Sequence, residues 1–464
     1  MWALLLSLLV SVPAYAEGLL AFPGAEGFGR FATGGRGGTI YHVTNLNDSG
    51  TGSFRDAVSQ SNRIIVFDVS GVIHLKSPLI FKSNLTVLGQ TAPGEGVQVY
   101  GDRVSFSGAN NIIVRYIRFR MGVGGTSGAD ACGVSNGKNM IFDHLSVLWG
   151  RDECFSVSWD NKGTMPSDIT IQNSIIGQGL QSHSCGGLIQ TEGGVTLYRN
   201  LYIENKTRNP KVKGLNQFVN NVVYNWGGGG CYIMGDSEGP SWAHIENNYF
   251  MKGPWNGTAP FTRGNSNFKY YAAGNYYDTD KDGVANGREV TESEYTSSGS
   301  SRVYDLETFD GITTRPKAHP TIVGMMSAEE ALRWIIDSVG PCLPVRDEVD
   351  QYLIDELTSF GTKGSTNGIS SEKDLPHGGT GTLYGGNKPL DSDGDGIPDE
   401  WEIANGLNPN DPSDAAAIAA NGYANIENYV FTITSAYPYI KTPSDLTATA
   451  EERVDYSFLD RQFR

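Results

Sequence analysis

Short apolar runs recur along the middle of the chain at a nearly constant spacing. Eight runs rich in β-branched and aromatic residues begin at Asn84, Asn111, Asn139, Asp168, Val195, Asn216, Ala243 and Phe268. Successive runs start 21 to 29 residues apart. A strand repeat of this length is typical of a solenoid, in which neighbouring coils bury one another's apolar faces. A sandwich or a propeller would space its strands about 8 to 12 residues apart. The pattern therefore predicts an all-β fold, a right-handed parallel β-helix.

Helical patterns flank the repeats. Residues 53–61, with Ser53 as N-cap, predict a short helix that could cover the open end of the solenoid. Residues 290–325 show no periodicity and are expected to form loops. Apolar residues spaced at i, i+3 and i+4 predict two amphipathic helices over 328–339 and 345–360 that dock outside the coils.

Asparagines recur near the predicted strand ends. They are Asn111, Asn139, Asn173, Asn200, Asn220, Asn247 and Asn275. Asparagine tolerates the left-handed conformation of tight turns, and stacked amides can form hydrogen-bonded ladders. We expect these residues to serve turns and side-chain ladders between coils.

These patterns divide the chain into five parts. They are a signal peptide (1–16), a β-helix domain (17–325), docking helices (326–360), a linker rich in Gly, Ser and Thr (361–389), and an acidic module with its tail (390–464). The first part is an apolar run that ends in a small-x-small cleavage motif, which predicts secretion with Glu17 as the first mature residue. A buried N-terminal strand is the alternative.

Composition narrows the classes of protein that fit. The 59 glycines in 464 residues argue against an all-helical protein. The net charge of -16 argues against a general binder of nucleic acid or anionic membranes, and it favours divalent cations as partners. No segment after the leader is long and apolar enough for a membrane span, so we expect no membrane anchor. We also expect the chain to be a monomer. The five cysteines are odd in number and predict no disulfide framework. Potential glycosylation sites lie at Asn47, Asn84, Asn205 and Asn256.

The acidic module opens on a calcium-loop pattern. Residues 391–402 match D-x-D-x-D-G-x5-E, in which alternating carboxylates converge on one hard cation while Gly396 permits the sharp turn. The expected ligands are Asp391, Asp393, Asp395, Asp399 and Glu402, with the Ile397 carbonyl. An acidic turn without metal is the alternative. The pattern predicts a structural Ca²⁺ site.

A second stretch satisfies the same pattern at residues 278–289. The ligands would be Asp278, Asp280, Asp282 and Glu289. No clear helix flanks this loop, so an acidic loop at the end of the coils is a serious alternative to a calcium site.

Two charged groups lie within the repeats. One holds Asp130, Asp143 with His144, and Asp152 with Glu153. Asp130 and Asp152 are about one coil apart, so these carboxylates could lie on adjacent coils; separate solvated acids are the alternative. The other is the basic run KTRNPKVK over 206–213 in an otherwise acidic protein. A basic patch beside a cation site suits a polyanionic ligand that carries carboxylates, whereas a solvated basic turn is the simpler reading.

Several motifs together resemble a known family. AFPGAEGFGRFATGGRGG, GSFRDAV, FDHLSVLWGRDE and TRNPKVK followed by NNVVYNWG are similar to segments of the pectate lyases of polysaccharide lyase family one, in the same order over residues 21–290. The stretch LDSDGDGIPDEWEIANGLNPNDPSD is similar to a C-terminal calcium segment of some members. The resemblance implies a parallel β-helix that cleaves de-esterified polygalacturonate by calcium-assisted β-elimination.

The resemblance also implies roles for individual residues. Arg208 would be the Brønsted base, Lys211 and Lys213 would bind substrate, and Asp130 with Asp152 or Glu153 would hold the catalytic Ca²⁺. Two positions depart from the family. Lys213 stands where the family has arginine, and Ser156 stands where it has a second carboxylate after Asp152. Lysine keeps the charge but lacks the bidentate fork of arginine.

Two other functions stay open at this stage. A β-helix pectin hydrolase would use a carboxylate pair such as Asp143 and Asp152 around a water molecule. A calcium-stabilised β-helix could alternatively bind acidic glycans at its surface without turning them over. Only the lyase would form an unsaturated product.

Overall fold

A computed structural model describes residues 18–295, 301–303 and 306–434. The chain winds into a parallel β-helix whose coils contribute strands to three hydrogen-bonded ladders. Apart from the last strand of one ladder, the strands within a ladder are parallel, so equivalent positions on successive coils lie in register. The predicted solenoid fold is confirmed. The predicted signal peptide and the tail after residue 434 lie outside the described residues, and secretion stays a prediction.

The strands of one coil follow one another through the three ladders. The first ladder contains Leu79–Ile80, Val104–Ser105, Cys132–Val134, Phe155–Ser158, Tyr232–Met234 and Phe261–Thr262. The second contains Thr39–Val43, Arg63–Phe67, Leu85–Leu88, Ile112–Arg115, Lys138–Asp143, Ser167–Gln172, Ser241–Glu246, Phe268–Ala273 and Ser301–Val303. The long strands Leu188–Tyr198 and Lys211–Val219 belong to both. The third contains Gly71–His74, Val97–Tyr100, Arg118–Arg120, Ser146–Leu148, Ile175–Gly177, Leu201–Ile203, Val222–Tyr224, Tyr249–Met251, Tyr276–Asp278 and the antiparallel Arg288–Glu289.

A sharp corner divides most of the apolar runs into a second-ladder strand and a third-ladder strand. The corner residue has φ between 52° and 62° in seven runs, at Tyr116, His144, Asn173, Arg199, Asn220, Asn247 and Gly274. This left-handed conformation is accessible to Gly and Asn at low cost and is uncommon for the other residue types. Each run is therefore a pair of strands joined by a bend.

A ladder of buried asparagines lies just after this corner. The Nδ2 of Asn200 donates to Oδ1 of Asn221 at 3.0 Å, Asn221 donates to Asn248 at 3.1 Å, and Asn248 donates to Asn275 at 2.8 Å. All four side chains are buried and also satisfy backbone groups of neighbouring coils. Adjacent residues thus have different roles. Asn220 and Asn247 form corners, whereas Asn221 and Asn248, which follow them, belong to the ladder.

Short helices surround the solenoid. The helices among the described residues are Phe54–Val58, Leu306–Asp310, Ala328–Ser338, Glu348–Leu357, Asp399–Asn405 and Asn425–Val430, with 3-10 turns at Gly89–Thr91, Glu292–Glu294 and Glu372–Asp374. Ser53 caps the first helix by accepting a hydrogen bond from the amide of Asp56 at 3.2 Å, and Phe54 and Val58 pack into the core of the first coils. The helix predicted at 53–61 is therefore present.

The two docking helices pack on the outer face of the third ladder. Leu332 and Ile335 of the first helix, and Leu353 of the second, belong to one buried cluster with Ile175 and Val222 of the ladder. Apolar spacing predicts both helices. The second helix begins only at Glu348, because Asp347 is its N-cap and accepts a hydrogen bond from the amide of Asp350.

The segment between the coils and these helices differs from expectation. Residues 290–325 were expected to be loops, yet Ser301–Val303 adds a strand to the second ladder and Leu306–Asp310 forms a helix. Phe309 of that helix is buried against Leu215 and Trp242. Five residues are too few to show helical periodicity, so the sequence carries no signal for this contact.

Three further features of the described residues concern the cysteines, the helices and the predicted linker. All five cysteines are free thiols. Within the described ranges, no helix combines the length and the apolar character that crossing a bilayer requires. The Gly-, Ser- and Thr-rich segment 361–389 lies along the coils, where Glu372 is buried and accepts a hydrogen bond from Tyr100 Oη at 2.6 Å.

Candidate active site

The predicted acidic group and the basic run meet on one side of the first ladder. The amide of Ala131 donates to the carbonyl of Glu153 at 3.0 Å, and parallel bridges join Glu153 to Cys185 and Cys185 to Thr207. These contacts place four successive coils in register just before their first-ladder strands. The sequence spacing predicted adjacent coils for the acids, and the stacking brings the basic run beside them.

Asp130, Asp152 and Glu153, here called the acidic trio, form a compact group. One oxygen of each carboxylate lies within 4.8 Å of the others, and the amide of Glu153 donates to Asp130 Oδ1 at 3.2 Å. Glu153 is only 3% exposed. Burial raises the pKa of all three carboxyl groups, and their mutual repulsion raises it further. The trio therefore favours a positive partner.

Arg208 is that partner within the chain. Its Nη1 contacts Glu153 Oε1, and its backbone has φ of 55°. Burial lowers the pKa of the guanidinium, but neighbouring Cys185 and the carboxylates of Glu153 and Asp152 outweigh burial and raise it. The predicted base and the predicted metal ligands thus belong to one ion-paired group.

His183 lies beside the trio on the solvent side. Its Nε2 is 3.1 Å from Asp152 Oδ1, and this oxygen is buried without a partner in hydrogen-bond geometry. The imidazole is more than half exposed. Sequence spacing linked this histidine to no site, because its neighbour Asp152 lies on the preceding coil.

An open cleft of about 260 Å³ begins at Arg208 and runs over the following coils. Its lining includes His183, Lys206, Arg208, Lys211, Asp236 and Arg263. Lys211 Nζ lies 3.4 Å from Asp236 Oδ2, and Arg263 Nη1 lies 3.1 Å from the same oxygen. The charged residues of the lining are thus mainly cations, with a single carboxylate, Asp236, that contacts two of them.

Lys213 lies further along the same strand as Lys211 and pairs in register with Gln190. Its side chain extends over the backbone of Gly239, where an added methyl group would come within 2.8 Å of Lys213 Cε. Lys213 is not among the residues that line the cleft at Arg208. The structure therefore separates the two predicted substrate lysines, and only Lys211 lies next to the base.

In the predicted calcium loop at 278–289, three of the carboxylates accept hydrogen bonds from Asn286. The Nδ2 of Asn286 donates to Asp280 Oδ2 at 3.3 Å and to Asp282 Oδ2 at 3.2 Å, and Asp278 accepts from the Asn286 amide. Burial and neighbouring Asp280 raise the pKa of Asp278 to about 6. Glu289 is exposed on the antiparallel strand that pairs with Tyr276. Calcium binding at this loop stays a prediction.

In the C-terminal loop, four of the five predicted carboxylates point inward. Asp399 does not, because its Oδ1 and Oδ2 accept hydrogen bonds from the amide and the hydroxyl of Ser392, both at 2.7 Å. Asp414 lies within 4.8 Å of Asp395 and Glu402 instead. No pattern in the sequence pointed to Asp414.

Sequence reasoning also missed Asp236 and Arg263. Neither belongs to a motif, but the coil period leads to them. Asp236 lies 25 residues after its partner Lys211, and Arg263 lies 27 residues after Asp236. Stepping one coil at a time from the basic run would have indicated both.

Comparison with known proteins identifies relatives along almost the whole chain. "Probable pectate lyase C" of Neosartorya fischeri is 53% identical over 423 residues, which is 90% of this chain and 96% of the relative. The protein of the same name from Emericella nidulans is 54% identical over 411 residues, 88% of this chain and 91% of the relative. No family model matches the chain.

Solved structures that align with the chain are more distant. A pectate lyase from Bacillus sp. N165, solved in complex with trigalacturonate, has a TM-score of 0.47 and 16% identity, covering 68% of this chain and 98% of that one. The relatives above half identity are the decisive comparison. On their evidence the chain belongs to the pectate lyase family of polysaccharide lyases.

Proposed function

We propose that the chain cleaves de-esterified polygalacturonate by calcium-assisted β-elimination, which leaves an unsaturated uronate end. The observation that carries the proposal is the contact of Arg208 with Glu153, which places a basic side chain beside three carboxylates at the head of a cationic cleft. Family membership supports the same reaction, since the relatives are named pectate lyases.

The acidic trio fits a calcium ion. It offers oxygen ligands from three carboxylates, and Asp152 Oδ1 is buried without a hydrogen-bond partner. Clustered oxygen ligands of this kind are what Ca²⁺ prefers. Asp130, Asp152 and Glu153 would hold the ion, which when bound supplies Lewis-acid polarisation of a substrate carboxylate and so acidifies the neighbouring C5–H.

The lysines of the cleft would bind the uronate chain. Lys206 and Lys211 line the cleft next to Arg208, and their positive charges would attract the carboxylates of a polyanion. Asp236 fixes the Lys211 ammonium, and Arg263 in turn holds Asp236. An oriented ammonium can stabilise the enolate-like charge that develops during proton removal.

Arg208 would take the C5 proton. The C5–H electron pair then forms the C4=C5 double bond, the C4–O glycosidic bond breaks, and the leaving oxygen gains a proton from water. Arg208 is ion-paired with Glu153 as a protonated guanidinium, so it has to give up this contact and lose one proton to solvent before its free nitrogen lone pair can accept the C5 proton. The assignment of the base stands on position and family resemblance.

The structure disfavours the hydrolase alternative. Asp143, which would pair with Asp152 around a water molecule, is buried and held by Arg115 at 2.8 Å and by the amides of Gln172 and Asn173. It lies at the end of a second-ladder strand and is not among the residues lining the cleft. A carboxylate so enclosed cannot position a water against a glycan in the cleft.

Turnover of polygalacturonate, followed by the ultraviolet absorbance of unsaturated product ends, tests the proposal. We expect activity with calcium and none with a chelator. Arg208→Ala should lower kcat by about 10²- to 10⁴-fold, the usual contribution of a general base. Arg208→Lys tests whether charge alone suffices, and Arg103→Ala, at an exposed arginine, is the matched control.

Each other outcome points to a different function. Reducing ends without ultraviolet absorbance would indicate a hydrolase. Binding without turnover in the wild-type protein would indicate a glycan-binding β-helix. Full activity of Arg208→Ala would show that another group is the base.

A further inference from the structure

The C-terminal loop carries an acidic group that has no part in the cleft. It begins after residue 390 and turns at Gly396, whose φ of 96° favours glycine. Asp391 organises the turn, because its Oδ1 accepts from the amide of Gly394 at 2.8 Å and its Oδ2 accepts from the amide of Gly396 at 3.2 Å. The loop is thus closed by its own backbone, with further carboxylates directed inward.

The inward carboxylates are held close together, and several of their buried oxygens have no hydrogen-bond partner. Asp391, Asp393 and Asp395 lie within 4.8 Å of one another, as do Asp395, Glu402 and Asp414. The group defined by these five residues is called the C-terminal carboxylate group. Five of its oxygens are buried and accept no hydrogen bond, namely both Oε atoms of Glu402, Oδ2 of Asp393, Oδ2 of Asp395 and Oδ1 of Asp414.

The burial of Glu402 and Asp395 makes this arrangement unfavourable without a counter-ion. Glu402 is 0% exposed and Asp395 is 3% exposed. Burial and the neighbouring carboxylates raise the pKa of Glu402 to about 7 and that of Asp395 to about 6. An ionised carboxylate buried without a partner is strongly destabilising.

One cation lies at the edge of the group and does not neutralise it. Lys388 Nζ is 3.2 Å from Asp391 Oδ2 and 3.2 Å from Asp68 Oδ1 of the β-helix. Asp391 already accepts backbone hydrogen bonds. The buried oxygens of Glu402 and Asp395 remain unpaired on the other side of the loop.

We propose that the C-terminal carboxylate group binds one Ca²⁺ ion, with Asp414 in the position that the loop pattern gives to Asp399. Carboxylate oxygens alone, in an irregular loop and without His or Cys, are the ligand set of Ca²⁺. Asp399 is unsuited because Ser392 occupies both its oxygens. Asp414 is available because its Oδ1 is buried and unpaired.

The ion would hold the C-terminal module on the flank of the β-helix. Ile397, within the loop, and Ala415, next to Asp414, belong to one buried cluster with Ile64 and Val66 of the second ladder. The ligands thus come from two arms of the chain that meet at the same docking surface. Binding an ion between the arms therefore stabilises the docked module as well as the loop.

The metal content and calcium affinity of the full chain test this site. Titration calorimetry in a background of Asp130→Asn and Asp282→Asn, which removes one ligand from the acidic trio and one from the predicted loop at 278–289, isolates the C-terminal site. We expect one calcium ion bound, no binding in Glu402→Gln, and at least tenfold weaker binding in Asp414→Asn. Asp399→Asn is the matched control, and it should keep the affinity because asparagine can still accept from Ser392.

A second measurement needs no variant in this group. Limited proteolysis of the wild-type chain should cut residues 361–434 much faster in a chelator than in calcium. Two results would overturn the proposal: unchanged affinity in Glu402→Gln, or equal cleavage with and without calcium. If Asp399→Asn weakens binding and Asp414→Asn does not, the loop pattern is right and the assignment of Asp414 is wrong. These outcomes do not depend on polygalacturonate turnover.

Discussion

The acidic trio and the C-terminal carboxylate group contain the same chemistry in different surroundings. Each brings carboxylates within 4.8 Å of one another. The trio lies next to Arg208 and His183 and adjoins an open cleft, whereas the C-terminal group is closed by its own backbone and has five buried oxygens without partners. A carboxylate group whose negative charge is already balanced by a protein cation can release a bound metal ion to the solvent or bind it together with a substrate. A carboxylate group whose charge is not balanced in this way is suited to a metal ion that stays bound.

Two further carboxylate pairs show how the protein manages buried acids without metal. Asp347 and Asp350 are neutralised by buried arginines. Glu204 and Glu356 are neutralised by a proton, since burial and the carboxylate of Glu204 raise the pKa of Glu356 to about 9. The protein thus uses arginine, proton and, as we propose, calcium at separate places along the coils.

The largest effect on stability is expected where arginine supplies the countercharge. Arg120 Nη1 lies 2.6 Å from Asp347 Oδ2, and its Nη2 lies 2.8 Å from Asp350 Oδ1, with all three side chains buried. Arg120→Met leaves both carboxylates with Arg118 alone. The free energy of unfolding, measured by chemical denaturation, should fall by about 3–5 kcal/mol.

Arg55→Ala is the control for this variant. The ion pair of Arg55 with Asp48 is partly exposed, so its loss should lower stability by about 1 kcal/mol or less. Calcium should rescue neither variant. Equal losses in the two variants would show that the buried network is no stronger than a surface pair.

Removing one carboxylate from the acidic trio and one from the C-terminal carboxylate group tests whether the two groups have different roles. Asp130→Ala should lower kcat/KM by at least about 100-fold, because even an outer-shell partner of a metal contributes about 10- to 100-fold. Asp414→Ala should affect turnover far less and should instead remove most of the rise in melting temperature that calcium gives. Turnover and thermal unfolding of both variants, each with calcium and with chelator, provide the measurement.

The reverse pattern would contradict this division of roles. If Asp414→Ala lowered kcat/KM as much as Asp130→Ala, the C-terminal group would serve catalysis. If calcium still stabilised Asp414→Ala fully, the stabilising ion would lie elsewhere.

The proton-neutralised pair predicts a pH dependence with a definite sign. The pKa of Glu356 is raised in the folded state, so the folded chain keeps a proton that the unfolded chain loses above pH of about 4.3. Stability should therefore fall as pH rises from there to about 9. Glu356→Gln removes the titrating group that faces Glu204, Tyr352 and Asp355.

Denaturation of both proteins at several pH values tests this. The variant should match the wild type near pH 4 and exceed its stability by about 1 kcal/mol or more near pH 9, since one unit of pKa difference corresponds to about 1.4 kcal/mol. Parallel stability curves at all pH values would show that Glu356 titrates equally in both states.

The sequence predicts the repeating strands of the solenoid, but it does not predict which side chains from different coils come into contact. The period of 21 to 29 residues indicates the solenoid, and the basic run marks Arg208 and Lys211. The asparagine spacing indicates the ladder but not the division between corner and ladder residues. That division depends on the φ of single residues such as Asn220, which no apolar pattern encodes.

Site residues were missed where the partner comes from another coil or another turn. Asp236 and Arg263 have no motif, and only the register of the coils brings them to Lys211. Asp414 lies beyond the last position of a twelve-residue loop pattern, so the pattern could only propose Asp399. A pattern with fixed spacing describes one continuous segment of the chain, so it cannot include a ligand that comes from a later segment.

The smallest effect is expected at Lys213, where the sequence departs from its family. Lys213 extends over the backbone of Gly239, which has no side chain. Lys213→Arg would replace a point charge with a planar fork that can bind a carboxylate through two hydrogen bonds. One added hydrogen bond contributes about 0.5–1.5 kcal/mol, so KM for polygalacturonate should fall by about 2- to 10-fold.

The value of kcat should not change, because Lys213 lies apart from the cleft residues around Arg208. Lys138→Arg, at an exposed lysine, is the matched control for the change of side chain. A change in kcat would mean that Lys213 contacts the reacting sugar itself. If neither Lys213→Arg nor Lys213→Ala changes KM, the substrate does not extend over Gly239, and the binding surface ends with Lys211 and its partners.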